Sequence, residues 1–266
     1  MMRLKGRWVL VTGASSGLGW AMAELLASEH GANLVLVARR QDRLQELREK
    51  LVKDHQISVE VVVADLSDLE QVDRVFDVAT DGRDIDAVIL NAGITHFGRH
   101  DELDWAGFER MLAVNVTATV RLTSKFVPYL TGRGVSGAIL LVSSLAGVLP
   151  VPYQTVYSGT KAFLVNYGCG LYHELRHTDV SVTTFVPGGI RTEMTAGEKF
   201  GPLRPWLMPV DRCARDAINA MCARRFMFTP GVGTRVGTAL LNLLPRRFVT
   251  GRLAATYRAA LEKAAS

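Results

Sequence analysis

Six short runs rich in valine, leucine and isoleucine, each followed by a helical pattern, constrain this chain more than any other feature. The runs are 8–13 (WVLVTG), 33–40, 58–66, 85–93, 137–144 and 180–189, with 226–231 as a short seventh candidate. Helical spacing of apolar residues fills 17–31, about 41–54, and the stretches around 68–79, 104–127, 155–177 and 211–223. Strands this apolar are covered on both faces, and strict strand–helix alternation implies parallel pairing through right-handed crossovers. The expected fold class is therefore α/β, a doubly wound parallel sheet of about seven strands with helices on both faces, the Rossmann-like arrangement. Residues 1–230 read as one dinucleotide-binding and catalytic domain and 231–266 as a basic, amphipathic, helical C-terminal extension. No internal repeat or interdomain linker interrupts the 266 residues.

In such a sheet a ligand sits beyond the carboxyl ends of the strands. Each run here ends in a small or polar cluster: TGASSG, ARR, ADL, NAG, SSLAG, PGG. Six loops aimed at one edge predict a binding crevice. The first, TGASSGLG at 12–19, places Gly13, Gly17 and Gly19 between a strand and a helix, where glycines admit a tight turn and let a pyrophosphate approach unpaired N–H groups. The second strand closes on Ala38-Arg39-Arg40. An acid there would bind the ribose 2′-OH of NAD; two guanidiniums suit a phosphate dianion instead, which favours NADPH/NADP+. A solvated helix start is the plainer reading of the same two arginines.

A tyrosine and a lysine four apart, Tyr157 and Lys161 in YSGTK, share one helix face. Bringing a phenol from ~10 to about 7 takes roughly 4 kcal/mol, and an ammonium at ~4 Å supplies about that at an effective dielectric near 20. For an isolated YxxxK, an ordinary amphipathic helix is the better explanation; the company it keeps decides otherwise. TGxxxGxG at 12–19, NAG at 91–93, Asn115, Ser144, YxxxK at 157–161 and PG at 187–188 occur in order. With these motifs the chain resembles the short-chain dehydrogenases/reductases over about residues 6–230.

That resemblance implies a catalytic tetrad of Asn115, Ser144, Tyr157 and Lys161. Ser144 would hydrogen-bond a carbonyl and its developing oxyanion, Tyr157 would donate the proton, Lys161 would lower the phenol's pKa and bind the nicotinamide ribose, and Asn115 would hold a relay water. Ser143 is the adjacent competitor, and a thirteen-residue spacing to Tyr157 selects Ser144. The resemblance also places Gly13, Ser15, Ser16, Gly17, Leu18, Gly19, Arg39, Arg40, Asn91, Ala92, Gly93, Tyr157, Lys161, Pro187, Gly188, Ile190 and Thr192 around the cofactor. Asp65 and Leu66 flank the adenine, Asn91 the adenosine ribose, and Thr192 the carboxamide. Arg39 is favoured over Arg40 for the 2′-phosphate, with Ser15 assisting.

The expected activity is NADPH-dependent reduction of an apolar ketone, with lipid-like ketones among the candidates. NADP-dependent oxidation of a secondary alcohol and a non-catalytic cofactor-binding role are the alternatives. Segment 190–209 reads as a mobile lid whose Met194, Phe200, Leu203, Trp206, Leu207 and Met208 either meet an apolar substrate or pack the lid down. No zinc-ligand spacing appears, and His96, the one histidine near the crevice, reads as non-catalytic.

Charge is unevenly spread. Residues 224–266 carry eight Lys/Arg against Glu262 alone, leaving 23 basic and 25 acidic residues elsewhere from totals of 31 and 26. Packing on the body or on a second subunit, and lying on anionic lipid as a peripheral surface helix, are the two readings of this tail. Nucleic acid is not expected, since the aromatics form no stacking platform. Cys169, Cys213 and Cys222 read as buried small hydrophobes of a reducing compartment. With no signal-like opening, a cytoplasmic setting is expected. The charge-free run 135–160 is long enough to cross a bilayer, but Pro150, Pro152 and Gln154 break it. A homo-oligomer paired through 104–127 and 155–177 is what the resemblance implies.

Overall fold

The computed structural model describes residues 2–265. Seven strands form one parallel sheet: β1 Trp8–Thr12, β2 Asn33–Ala38, β3 Val59–Val63, β4 Ile85–Leu90, β5 Gly137–Val142, β6 Val180–Phe185 and β7 Met227–Phe228. Their spatial order is β3-β2-β1-β4-β5-β6-β7. The crossovers are helical: α1 Gly17–Ser28, α2 Gln41–His55, α3 Leu69–Thr80, α4 Trp105–Leu112, α5 Ala118–Gly132, α6 Thr155–Leu175 and α7 Val210–Cys222. Two more helices follow β7, α8 Val232–Asn242 and α9 Arg246–Ala265.

Side chains alternate across the strands and build two cores. Val9, Val11, Leu34, Leu36 and Ile89 pack against α1, α2 and α7, while Leu10, Val35, Val37, Val88 and Leu90 pack against α3, α5 and α6. Each such side chain is essentially fully buried, stabilising the fold by about 1.5–3 kcal/mol before entropy is subtracted. The uncharged 135–160 segment becomes β5, a loop and the start of α6. No helix among the described residues is long and apolar enough to cross a membrane.

Two expectations need correction. The helix expected over 104–127 is two helices joined by a π turn at Ala113–Thr117, and α5 runs on to Gly132. Cys169 is half-buried rather than buried, unlike Cys213 and Cys222; burial pushes the Cys213 thiol up to about 12.

The strand order reverses between β1 and β4, and Thr12 ties those two strand ends together. Its buried hydroxyl donates to the Ile89 carbonyl (3.3 Å) and accepts the N–H groups of Asn91 (2.9 Å) and Ala92 (3.1 Å). A topological switch point opens a crevice at the carboxyl edge, and this threonine fixes the two strand ends behind it.

Candidate active site

A cavity of about 890 Å³ lies along that edge. Residues after all six long strands reach its wall, from Gly13 at the first to Thr192 beyond the sixth. Its two ends differ in chemistry.

At one end β1 turns into α1. Gly13 has φ +69, a conformation that side-chain-bearing residues avoid, and a Cβ there would sit 2.9 Å from Asn91 Nδ2. A Cβ at Gly19 would lie 2.2 Å from the Gly13 carbonyl oxygen, so this glycine sets the approach of helix to turn. Ser16 makes no side-chain cap at the α1 N-terminus, and the first turn carries no acid. The unpaired N–H groups and the positive dipole end are therefore left to the cavity, beside Ser15, Ser16, Gly17 and Leu18. Arg39 and Arg40 close the same end. Arg40 donates to the Ser15 hydroxyl (3.3 Å) and carbonyl (3.1 Å) and pairs with Glu193 at 3.1 Å. Arg39 faces Asp65 at 3.8 Å. It is thus Arg40, not Arg39, that sits against Ser15. Burial raises the Asp65 carboxyl, but hydrogen bonds from Ser67 together with Arg110 and Arg39 outweigh it and hold the pKa below the usual range.

At the other end stand the four chemistry residues. Tyr157 lies in the first turn of α6 and Lys161 one turn on; Ser144 follows β5. The Ser144 hydroxyl accepts the Ala146 N–H at 3.1 Å and faces the Tyr157 phenol, whose pKa it draws down. Ser143 is committed elsewhere, its hydroxyl donating to the Lys161 carbonyl at 2.7 Å. Asn115 is the middle residue of the π turn, a widened turn that recurs at functional sites. It is fully buried and does not line the cavity: Nδ2 donates to the Ile94 carbonyl (2.9 Å) and the Thr160 hydroxyl (3.0 Å), while Oδ1 accepts the Ile94 N–H (2.8 Å). Lys161 is 3% exposed, and its ammonium donates to the Val142 carbonyl at 2.9 Å.

The electrostatics differ from expectation. Lys161 Nζ lies 5.8 Å from the Tyr157 ring centroid. Among the chain's own groups burial dominates, raising the phenol above its ordinary value and bringing Lys161 down to about 8. Only the Ser144 hydroxyl pulls the phenol the other way.

Asn91, Ala92, Gly93, Leu66, Pro187, Gly188 and Ile190 line the wall between the two ends, with Gly19 behind it. His96 stays off the wall, its Nε2 3.2 Å from the Arg99 carbonyl. The 190–209 segment leaves and rejoins the sheet edge through an Ile190–Met208 bridge, with Arg191 N–H to Met208 O at 3.0 Å and Met208 N–H to Gly189 O at 2.9 Å. Between those points Met194, Phe200, Leu203, Trp206 and Leu207 line the cavity, while Met208 lies below them against Gly231.

Two wall residues, Leu253 and Tyr257, come from α9 and were not among the expected site residues. The Tyr257 ring packs 5.4 Å from Phe97, which in turn meets Phe200 at 4.9 Å, and Arg258 donates to the Tyr153 hydroxyl at 3.0 Å. The available signal was the helical spacing of Val249, Leu253, Tyr257 and Leu261.

Uncapped helix N-terminus, glycine turn, paired hydroxyls and buried lysine, placed at the switch point of a parallel sheet, define a nicotinamide-dependent oxidoreductase. The short chain dehydrogenase family model matches residues 7–200, and the chain belongs to that family. It is similar to an uncharacterized oxidoreductase of Staphylococcus epidermidis, 34% identical over 202 residues, 76% of this chain and 85% of that one. Among solved structures it is similar to a short-chain dehydrogenase from Sphingobium yanoikuyae in complex with NADPH (31% identity, TM-score 0.79, covering 89% of this chain and 94% of that one). A Burkholderia phymatum family member in complex with NAD shares the fold at 23% identity (TM-score 0.83, 91% and 95%). Family and fold together thus call for a nicotinamide cofactor without choosing its 2′ group.

Proposed function

We propose that this protein reduces an apolar, lipid-like ketone to a secondary alcohol with NADPH. The observation that carries the reading is the Ser144–Tyr157 hydroxyl pair in a cavity walled on its lid side by Met194, Phe200, Leu203, Leu207, Leu253 and Tyr257. The residues present fit the cofactor: an uncapped α1 N-terminus faces the cavity, and Ser15 and two guanidiniums suit a second phosphate.

When bound, the nicotinamide supplies hydride to the carbonyl carbon. Every other role belongs to the chain. Ser144, whose oxygen already accepts from Ala146, keeps its proton to donate to the carbonyl oxygen, a donor aimed where negative charge develops. Tyr157 donates to the same oxygen; its O–H bond breaks as the alkoxide takes the proton. With one N–H on Val142, Lys161 retains two N–H groups for ribose hydroxyls. Asn115 pins the Ile94 backbone beside Lys161, and the second lone pair of Oδ1 remains to accept a relay water. Alcohol oxidation would run the same groups in reverse.

Initial rates of NADPH oxidation with ketones of rising chain length test the reading. Turnover should increase with chain length. Activity only with alcohols and NADP+ would replace it, and cofactor binding with no turnover in either direction would point to a non-catalytic role. Tyr257→Ala is expected to raise KM for long-chain ketones about tenfold by opening the wall, leaving kcat for a short ketone within about twofold. An equal loss for both would mean that α9 is only structural.

Cofactor choice has its own test. Charge-assisted hydrogen bonds contribute about 1.5–3 kcal/mol, so the Arg39→Ala/Arg40→Ala variant should bind NADPH roughly 10–100-fold more weakly, with NADH affected far less. Equal losses for both cofactors would assign the arginines to the Ser15 turn alone.

The free thiols suit a reducing, cytoplasmic setting. Exposed Trp105, Leu112 and Phe163 on α4 and α6 favour a homo-oligomer paired through these helices. Light scattering at micromolar concentration should give at least twice the 29.1 kDa chain mass; a monomer would contradict it.

A further inference from the structure

The inward stripe of α9 leaves the outer face of α8 unaccounted for. Val232, Val236, Leu240 and Leu243 fall within about 80° of arc at 3.6 residues per turn. All four point to solvent, with relative exposures of 72%, 54%, 59% and 81%. No residue of α8 is buried. The stripe continues past Pro245 into Phe248, which is 57% exposed. Spread along about 17 Å of helix, it is an apolar ridge rather than scattered single residues.

Charge surrounds this ridge with one sign. Arg235, Arg246, Arg247 and Arg252 are all exposed, and Glu262 is the sole acid beyond residue 223. Among the described residues Arg246, Arg247 and Arg252 form no ion pair within 4 Å. Elsewhere on the surface arginines mostly have acids to hand, as Arg121 has Asp73 and Arg215 has Glu29. A self-complementary dimer face would bring these arginines toward their own copies with one acid to offset them. A surface that offers apolar depth beneath a layer of negative charge matches both features.

A second cavity, about 320 Å³, opens between α8 and the start of α9, bounded by Leu241, Leu244, Val249 and Arg246. Its inner wall includes Leu149, which also lines the catalytic cavity. The apolar ridge, the second cavity and the active site are therefore neighbours, with Leu149 standing between the two hollows.

We propose that α8 and the first turn of α9 form a docking surface for an anionic lipid bilayer, with the Val232–Val236–Leu240–Leu243 ridge and Phe248 entering the headgroup boundary and Arg246, Arg247 and Arg252 meeting the lipid phosphates. This goes beyond the ketone-reductase reading, and its test needs neither cofactor nor substrate, so either reading can fail alone.

The full chain is floated with vesicles of phosphatidylcholine, alone or with one quarter phosphatidylglycerol. Binding to the anionic vesicles is expected, at least tenfold weaker on phosphatidylcholine alone and weakened by half-molar salt, which shortens the screening length to a few ångströms. Two variants test the two halves of the surface, Leu240→Glu/Leu243→Glu for the ridge and Arg246→Gln/Arg247→Gln for the rim. Each should lose at least tenfold in partition, since one basic residue near an anionic surface contributes about fivefold. These positions are exposed, so circular dichroism should not change. No binding to anionic vesicles overturns the proposal, as does binding equal in wild type and both variants. An oligomer that Leu240→Glu/Leu243→Glu dissociates would assign the ridge to a second copy and overturn it too.

Discussion

Tyr157→Phe should lower kcat for ketone reduction by 10²- to 10⁴-fold, the usual contribution of a positioned general acid. That range corresponds to about 3–5 kcal/mol of transition-state stabilisation. The phenyl ring remains and fills the same space, so the loss belongs to one oxygen. Loss of the phenol's interaction with Ser144 should change stability by no more than about 1 kcal/mol. Fluorescence titration should give a cofactor affinity within a few-fold of wild type. The raised phenol pKa has a use in this direction. A phenol raised above its ordinary value stays protonated well past neutral pH, and the proton acceptor in reduction is an alkoxide, a far stronger base. A variant that retained more than a tenth of wild-type turnover would remove Tyr157 from the proton path.

Lys161→Met should separate activity from stability, moving them in opposite directions. Burial brings the ammonium from 10.5 to about 8, so the folded state carries it at a penalty. The sign follows from proton binding. Between about pH 8 and 10.5 the unfolded chain holds a proton that the folded chain has released, so the wild type gains stability as pH rises through that window. Below pH 8 the whole penalty applies, on the order of 3 kcal/mol. Methionine removes the charge and keeps most of the volume, while losing about 1 kcal/mol for the bond to Val142. A net gain of about 2 kcal/mol should raise Tm at pH 7 by roughly 5 °C, and the gain should fade above pH 8. Turnover should fall roughly 10–100-fold in the same protein, since the charge-assisted N–H groups left for the ribose hydroxyls, about 1.5–3 kcal/mol each, are lost. Wild-type reduction should decline as pH rises past about 8, where Lys161 loses its proton. A variant that melted lower than wild type at pH 7 would contradict the buried-charge penalty.

Sequence order served well where function sits at strand ends. TGASSGLG, NAG, SSLAG and PGG follow four different strands, and parallel topology alone brings their loops to one edge. Helical spacing put Tyr157 and Lys161 on one face for the same kind of local reason. Three features were not legible because they depend on distant parts of the chain. Arg39 and Arg40 are adjacent in sequence, and only the packed turn gives Arg40 to Ser15. The Val142 carbonyl that takes one N–H of the Lys161 ammonium sits at the end of β5, beyond what the YxxxK spacing shows. Tyr257 lay beyond the recognised motifs, in a helix whose apolar stripe reads alike whether it meets its own lid, another subunit or lipid. The lid contacts of Phe97 and Phe200 decide that for α9.

Hydride transfer is the central claim, and isotope transfer tests it most directly. NADPH deuterated on the nicotinamide C4 is incubated with the long-chain ketone that turns over fastest, and the alcohol is weighed by mass spectrometry. One deuterium on the carbinol carbon, with none entering from deuterated solvent at that carbon when unlabelled NADPH is used, is the expected result. An alcohol without the label, or cofactor that binds and is never consumed with any ketone, would contradict it.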